Sequence, residues 1–434
     1  MRKINIGLIG FGTVGTGVLK ILRRNSKMIR ERLGASIVVK KIADLDIKSD
    51  RGIKINKGLL TTSVEEIIND PSIDLVVELI GGFEPAKTIL LSAVNKGKHV
   101  VTANKALLAG YGIELLKAAH KRKVDIGFEG SVAGGIPIIS AIKEGLSANQ
   151  IRFVLGILNG TANYILSKMT NEGGKFKDIL KEAKQQGYAE KDPTLDIDGL
   201  DTAHKLAILI NMAYGTTITF KEIYTEGISH IEPLDIEFAR ELGYRIKLLA
   251  ISRQINGQVE ARVHPTLIPV THLLSKVEGT YNAIFIDGDA AGPSMFYGKG
   301  AGMMPAASAV VSDIIDISRN IVRGISHRVP MFSYQREFLK KVKIKNIKDV
   351  VTRYYLRFSV VDCTGVLSKI SGILGRHNIS IHSVIQKSRR VKGVVSIFLL
   401  THEARDADVR KALNEIDRLS VVQDKTMLIR IEDL

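Results

Sequence analysis

The chain has 434 residues, 45% of them hydrophobic, a formal net charge of +17 and a single cysteine, Cys363. That length suits two to four domains with a large buried core. One cysteine excludes an intrachain disulfide and points to a reducing cytoplasm, and no uninterrupted apolar run is long enough to cross a membrane. The positive charge does not by itself choose a partner. The lysines are spread along the chain, so no nucleic-acid role is expected, and the charge suits phosphorylated cofactors or carboxylate substrates.

The opening MRKINIGLIGFG pairs two basic residues with an apolar run. Gly7, Gly10 and Gly12 break that run, so it reads as a first β-strand and not as a secretory leader. GFGTVG at Gly10–Gly15 matches G-x-G-x-x-G, and Val14, Val18, Leu19 and Leu22 then recur at helical spacing. In that strand–turn–helix setting, Gly10 serves the tight turn and Gly12 the approach of a pyrophosphate. Gly15 serves helix packing, and the helix start (Phe11, Thr13, Val14) offers N–H groups to phosphate. A second strand over 37–43 ends at Asp44, further from Gly15 than is usual, where an acid can accept from a ribose 2′-OH. Leu45 follows it, with Lys40, Lys41 and Lys48 nearby. The expectation is that NAD(H) serves at least as well as NADP(H).

Strands follow at IDLVVELIGG (73–82) and KHVVTANKALLAG (98–110), with a helix over 85–95 between them. Alternation of this kind predicts a parallel, doubly wound sheet. Lys105 lies just past the carboxyl end of a strand, where such sheets bind ligands. DIGFEGSVAGGIPII (125–139) reads as a strand and a glycine-rich bend leading into a second domain, with Pro137 opening a helix. RFVLGILNGTANYIL (152–166) reads as strand, turn and helix. In the acidic stretch AKQQGYAEKDPTLDIDGLDTAHK (183–205), Asp201 and Lys205 are four apart and share one face if a helix begins near Gly199. A carboxylate beside an amine is a minimal proton-transfer kit. Residues 241–252 read as helix and then strand, 260–265 as a strand, and 297–316 as a glycine-rich turn before a long helix. No metal-ligand cluster of histidines or cysteines is present.

The lysine-rich stretch 326–350 reads as a solvated linker. Beyond it the order strand 353–362, helix 366–377, strands 379–386 and 393–400, helix 407–416 and strand 421–431 is βαββαβ, the ferredoxin-like arrangement.

The spacing A-x-x-x-G-Y-A-x-x-D-P-x-x-D-I-x-G-x-D-x-x-x-K over 183–205 resembles the signature of homoserine dehydrogenases. ELIGG, GKHVVTANKALLA and NGTANYIL resemble the same family, with Ala162 where a threonine is usual. GAGMMPAASAV departs from it at Met303, Met304 and Ala306. Asp362, Gly365 and GILGRHNISIHSV resemble an ACT domain, with Cys363-Thr364 in place of the common pair before the glycine.

The resemblance implies an α/β chain with a Rossmann domain over 1–130 (return helix at about 305–325). A substrate domain over 131–304, a linker over 326–350 and an ACT domain over 351–434 follow. It implies NAD(P)-dependent interconversion of L-homoserine and L-aspartate 4-semialdehyde in threonine, methionine and isoleucine biosynthesis. Lys205 and Lys105 are the catalytic candidates, and which of them gives up the proton stays open. Glu190, Asp196, Asp201 and Lys205 are expected at the substrate. Gly10, Phe11, Gly12, Thr13, Val14, Gly15, Asp44, Lys105 and Gly302 are expected at NAD(H) or NADP(H). A monovalent cation, Na+ or K+, is implied at Glu129, Val132, Gly134 and Ile136. A homodimer or homotetramer and an amino-acid effector such as L-threonine are also implied. Two rival readings on the same fold are disfavoured. A semialdehyde dehydrogenase that makes an acyl phosphate needs a nucleophilic cysteine, and Cys363 lies in the wrong domain. A non-catalytic amino-acid sensor has no need of Lys105, Glu190, Asp201 and Lys205 together.

Overall fold

The computed structural model describes residues 2–255, 257–386 and 393–433. Six parallel strands form the first sheet, in the spatial order 60–61, 36–43, 3–9, 75–78, 99–102 and 126–127. This is the doubly wound order in which the strand sequence reverses beside the first strand, so a crevice opens outside the carboxyl ends there. The strands are nearly continuous apolar runs because both faces are covered; all of Leu75–Glu78 is buried. Helix Met303–Arg323 returns to this sheet and lies against helix Thr13–Arg24. A Cβ at Gly17 would stand 2.8 Å from the Ala307 Cβ, so glycine is what lets these two helices touch.

The second sheet crosses a domain boundary. Its main path runs 292–299, 281–288, 151–157, 244–255, 258–269, 427–431, 351–361, 394–401 and 381–386. The first five strands are antiparallel neighbours. The last four belong to the βαββαβ unit, whose helices are Val366–Arg376 and Asp406–Ile416. The two groups join by a parallel pairing, Thr266 with Arg430 and Leu267 with Ile431. Buried ion pairs reinforce the seam. Arg357 donates to both carboxylate oxygens of Asp235 at 2.7 and 3.1 Å, Tyr355 donates to Asp235 at 3.0 Å, and Arg262 pairs with Glu432.

The expected solvated linker is corrected by the structure. Phe332 is 1% exposed, packs edge-on to Phe128 and fills the space a side chain at Gly112 would take. Lys340 and Ile344 bridge to Thr216 and Val259, and Lys345 reaches Glu260 at 3.3 Å. Lys340, Lys341, Lys343 and Lys348 are exposed while Met331 and Phe332 are buried, so charge counting misread a docked strap.

Smaller differences concern element ends. The helix expected after 241 is Pro233–Glu241, and Gly243 at φ +79° breaks the chain before strand Tyr244–Ile255. The return helix spans 303–323, and the last strand is Met427–Ile431, preceded by one bridge from Val422 to Val360. Among the described residues no helix is long and apolar enough to cross a membrane.

Candidate active site

The glycine loop follows the first strand. Gly10 has φ +95°, and a Cβ there would stand 2.7 Å from the Leu79 carbonyl carbon. A Cβ at Gly15 would meet the Gly10 oxygen at 2.3 Å, whereas one at Gly12 would meet nothing within 4 Å. Gly10 and Gly15 therefore close the loop, and Gly12 faces open space. Helix Thr13–Arg24 starts there with no side-chain cap and no acid in its first turn. Its backbone N–H groups and positive dipole end are left to a ligand, a fit for a dinucleotide pyrophosphate. The Phe11 ring is 2% exposed in the core, and its N–H donates to Asp44 Oδ2. Asp44 Oδ1 accepts from the Asp46 N–H at 2.8 Å.

Across the crevice, buried Glu78 ties down the ELIGG turn. It accepts from the N–H groups of Ile80 (2.9 Å) and Gly81 (3.0 Å), and from Thr102 Oγ1 at 2.6 Å. Asn104 caps helix Lys105–Arg122 by accepting from the Leu107 N–H at 3.1 Å, and its amide donates to Gly82 O at 2.6 Å. These bonds fix the position from which Lys105 leaves the first domain.

Helix Leu200–Tyr214 begins after Gly199 at φ +82° and is buried from Asp201 to Tyr214. Asp201 and Lys205 share one face, as their spacing predicts. Lys205 Nζ donates to Asp201 Oδ2 and to Leu158 O, both at 2.6 Å. Lys105 pairs with Asp201 Oδ1 from the other domain. Asn159 caps helix Gly160–Glu172 through Ala162 N–H (2.8 Å) and donates to Asp196 Oδ1 at 2.7 Å and Asp201 Oδ2 at 2.9 Å. One carboxylate thus holds two ammonium groups and an amide.

Environment separates the two lysines. The Lys205 side chain is 10% exposed and that of Lys105 42%. Burial pulls Lys205 below its ordinary 10.5, even against the attraction of Asp201. At Lys105 burial acts the same way, but the charges of Asp201, Asp196 and Glu190 outweigh it and raise the group. Burial alone would raise the Asp201 carboxyl; Lys205 and Lys105 hold it well below the usual range.

Glu190 is exposed, and its charge acts on Lys105. His204 is buried edge-on to Phe220 with its pKa lowered by burial, a packing role. Asn163 donates to the carbonyls of Val277, Gly279 and Tyr281 and accepts from Lys247 Nζ at 3.1 Å. Asn159, Glu78 and Asn104 were not singled out by the sequence. N-G-T ahead of an apolar run signals a helix cap, but the second use of the Asn159 amide leaves no trace in spacing.

The glycine-rich bend and the second loop meet. A Cβ at Gly134 would stand 2.6 Å from Gly300 O, and the Gly135 N–H donates to Lys299 O at 3.0 Å. Gly302, at φ +116°, opens the return helix. The Glu129 carboxylate accepts from Ile139 N–H (2.8 Å), Ser140 N–H (2.9 Å) and Ser140 Oγ (2.7 Å). Its side chain is therefore committed to capping the turn that starts at Ile138. Ile136 O accepts from the Ile138 N–H at 2.8 Å.

The chain matches three family descriptions in order. "Homoserine dehydrogenase, NAD binding domain" covers residues 10–129, "Homoserine dehydrogenase" covers 137–315, and "ACT domain" covers 354–420. It is 44% identical to a homoserine dehydrogenase of Neisseria gonorrhoeae over 100% of both chains. It is similar to the crystal structure of a homoserine dehydrogenase from Thiobacillus denitrificans, with TM-score 0.94 and 47% identity over 100% of this chain and 99% of that one. The Staphylococcus aureus enzyme follows with TM-score 0.78 and 35% identity over 100% of both chains.

Proposed function

The chain belongs to the homoserine dehydrogenase family, as an NAD(P)-dependent oxidoreductase with a C-terminal ACT domain, and from that premise we propose how its own residues carry the reaction. The nicotinamide cofactor, when bound, supplies or accepts the hydride exchanged with the substrate C4 carbon. Gly10, Gly12, Thr13, Val14 and Gly15 hold its pyrophosphate end, Asp44 faces its ribose, and Lys105 and Gly302 flank the reacting end.

The observation that carries the assignment is the bonding of Lys205. An ammonium has three donors, and two of them are fixed on Asp201 and Leu158 O. The remaining N–H is left for the substrate oxygen. In reduction of L-aspartate 4-semialdehyde it stabilises the developing alkoxide and delivers the proton; in oxidation of L-homoserine it takes the proton back. A group with a lowered pKa is the better proton carrier near neutral pH. Lys205 is therefore the acid–base residue, and Lys105 a fixed positive charge at the cleft mouth. Asp201 is committed to both lysines, so the substrate ammonium is assigned to Glu190, with Asp196 holding the loop through Asn159. Lys205→Ala lowers kcat by about 100-fold or more while the dissociation constant of the cofactor stays unchanged. A kcat close to that of the parent chain refutes the role.

The limits of the three domains set out above, without the linker, belong to the same proposal, as do a homodimer or homotetramer, a cytoplasmic site of action and L-threonine as ACT-domain effector. Light scattering and initial rates with added threonine test the assembly and the effector. Backbone carbonyls at Glu129, Val132, Gly134 and Ile136 suit a hard monovalent cation. Unchanged activity after replacing Na+ and K+ with a bulky organic cation contradicts it.

A further inference from the structure

We propose that Arg51 reads the 2′ position of the cofactor's adenosine ribose, binding the 2′-phosphate of NADP(H) and so letting one site use both NADP(H) and NAD(H). The inference rests on the nicotinamide-cofactor reading above and concerns the far end of the same site. Asp44 stands at the carboxyl end of strand Ser36–Ala43, where an acid meets a ribose 2′-OH and repels a 2′-phosphate. A phosphate is accepted there only if a cation stands close by.

The lysines that the sequence offered are engaged elsewhere or point outward. Lys40 pairs with Asp70 and Lys41 with Glu66 at 3.0 Å, both on the neighbouring helix and turn. Lys48 is exposed, and Leu45, directly after the acid, is 93% exposed. Arg51 is the cation that comes back to the acid. Its Nη2 lies 3.9 Å from Asp44 Oδ1 and donates to Asp46 Oδ2 and Asp46 O, each at 3.1 Å. Its Nε is buried without a hydrogen-bond partner.

A guanidinium has five donors in a planar fork, suited to two parallel bonds to a phosphate. Here the hydrogen bonds run through Nη2 alone, which leaves Nη1 to a ligand and Nε buried without a partner. Asp44 is also less repulsive than a bare acid, because backbone N–H groups of Phe11 and Asp46 occupy one lone pair on each oxygen. NAD(H) still finds a carboxylate for its 2′-OH, and NADP(H) finds the guanidinium.

Titration of the full chain with NADPH and NADH, followed by nicotinamide fluorescence, tests this. Arg51→Ala is expected to weaken NADPH by about 10- to 100-fold, the worth of charge-assisted bonds, and to leave NADH within about twofold. Arg51→Lys is expected to recover part of the NADPH loss. 2′,5′-ADP, which has the phosphate but no nicotinamide, should raise the melting temperature of the parent chain and not that of Arg51→Ala. Equal weakening of both cofactors in Arg51→Ala overturns the proposal, since it marks a merely structural role. Loss of NADPH binding in Lys48→Ala but not in Arg51→Ala overturns it too. A parent chain that binds NADH but no NADPH does the same, while leaving the cofactor reading intact. A parent chain that binds neither overturns the cofactor reading itself.

Discussion

Asp201 is where two lysines from different domains converge, and its charge state organises the site. With both ammonium groups within bonding distance, the carboxyl is held ionised although it is buried. Removing it would leave Lys205 buried beside a carbonyl and no counter-charge, a costly arrangement. Half of this was legible in the sequence. A four-residue interval on a helix puts Asp201 and Lys205 on one face. The approach of Lys105 was not legible from periodicity, because it depends on how two domains meet; only the surrounding motif marked it. Arg51 was missed for a related reason. Counting basic residues near Asp44 favoured three lysines, and loop geometry decided that an arginine further on returns to the acid.

Among elements, the glycine loop and the helix behind it show how sequence pattern and packing divide the work. G-x-G-x-x-G at Gly10–Gly15 predicts three distinct duties, and the space around each glycine separates them. Gly15→Ala forces a methyl against the Gly10 carbonyl oxygen, which should cost about 1–3 kcal/mol through overpacking. Gly12→Ala places its methyl in open space, so it should leave the melting temperature unchanged and weaken cofactor binding. Thermal unfolding and cofactor titration of the two variants check this, and equal melting losses in both contradict it. Element type was legible throughout the first sheet, where apolar runs alternate with amphipathic helices. Ends were less so: the helix before Gly243 and the final strand lie apart from their expected positions, because turn geometry, not hydrophobic period, sets where a strand begins.

At the scale of the molecule, the main finding is that the second and third domains share one sheet. The sequence showed the βαββαβ unit but not its attachment, since a parallel pairing between strands far apart in the chain leaves no periodic signal. The strap across 331–345 was misread for its lysines, while Phe332 anchors it. A shared sheet sealed by Asp235, Arg357 and Tyr355 makes the domains unfold together. Asp235→Ala leaves the Arg357 guanidinium with Glu232 as its remaining acid. It should cost about 3–5 kcal/mol, the penalty for breaking a buried pair. Calorimetry should show one transition at lower temperature. An unshifted transition, or two separate ones in the parent chain, contradicts the shared-sheet account.

On the proposed mechanism Lys205 carries the proton and Lys105 does not. The direct measurement is the pH dependence of kcat for semialdehyde reduction in the parent chain, Lys205→Arg and Lys105→Arg. Reduction needs the lysine protonated, so kcat in the parent falls as pH rises through a Lys205 pKa below the ordinary 10.5. An arginine keeps its proton at any working pH. A low kcat without that alkaline fall is expected in Lys205→Arg, and the fall is expected to remain in Lys105→Arg. The fall kept in Lys205→Arg and abolished in Lys105→Arg would contradict it and exchange the two roles.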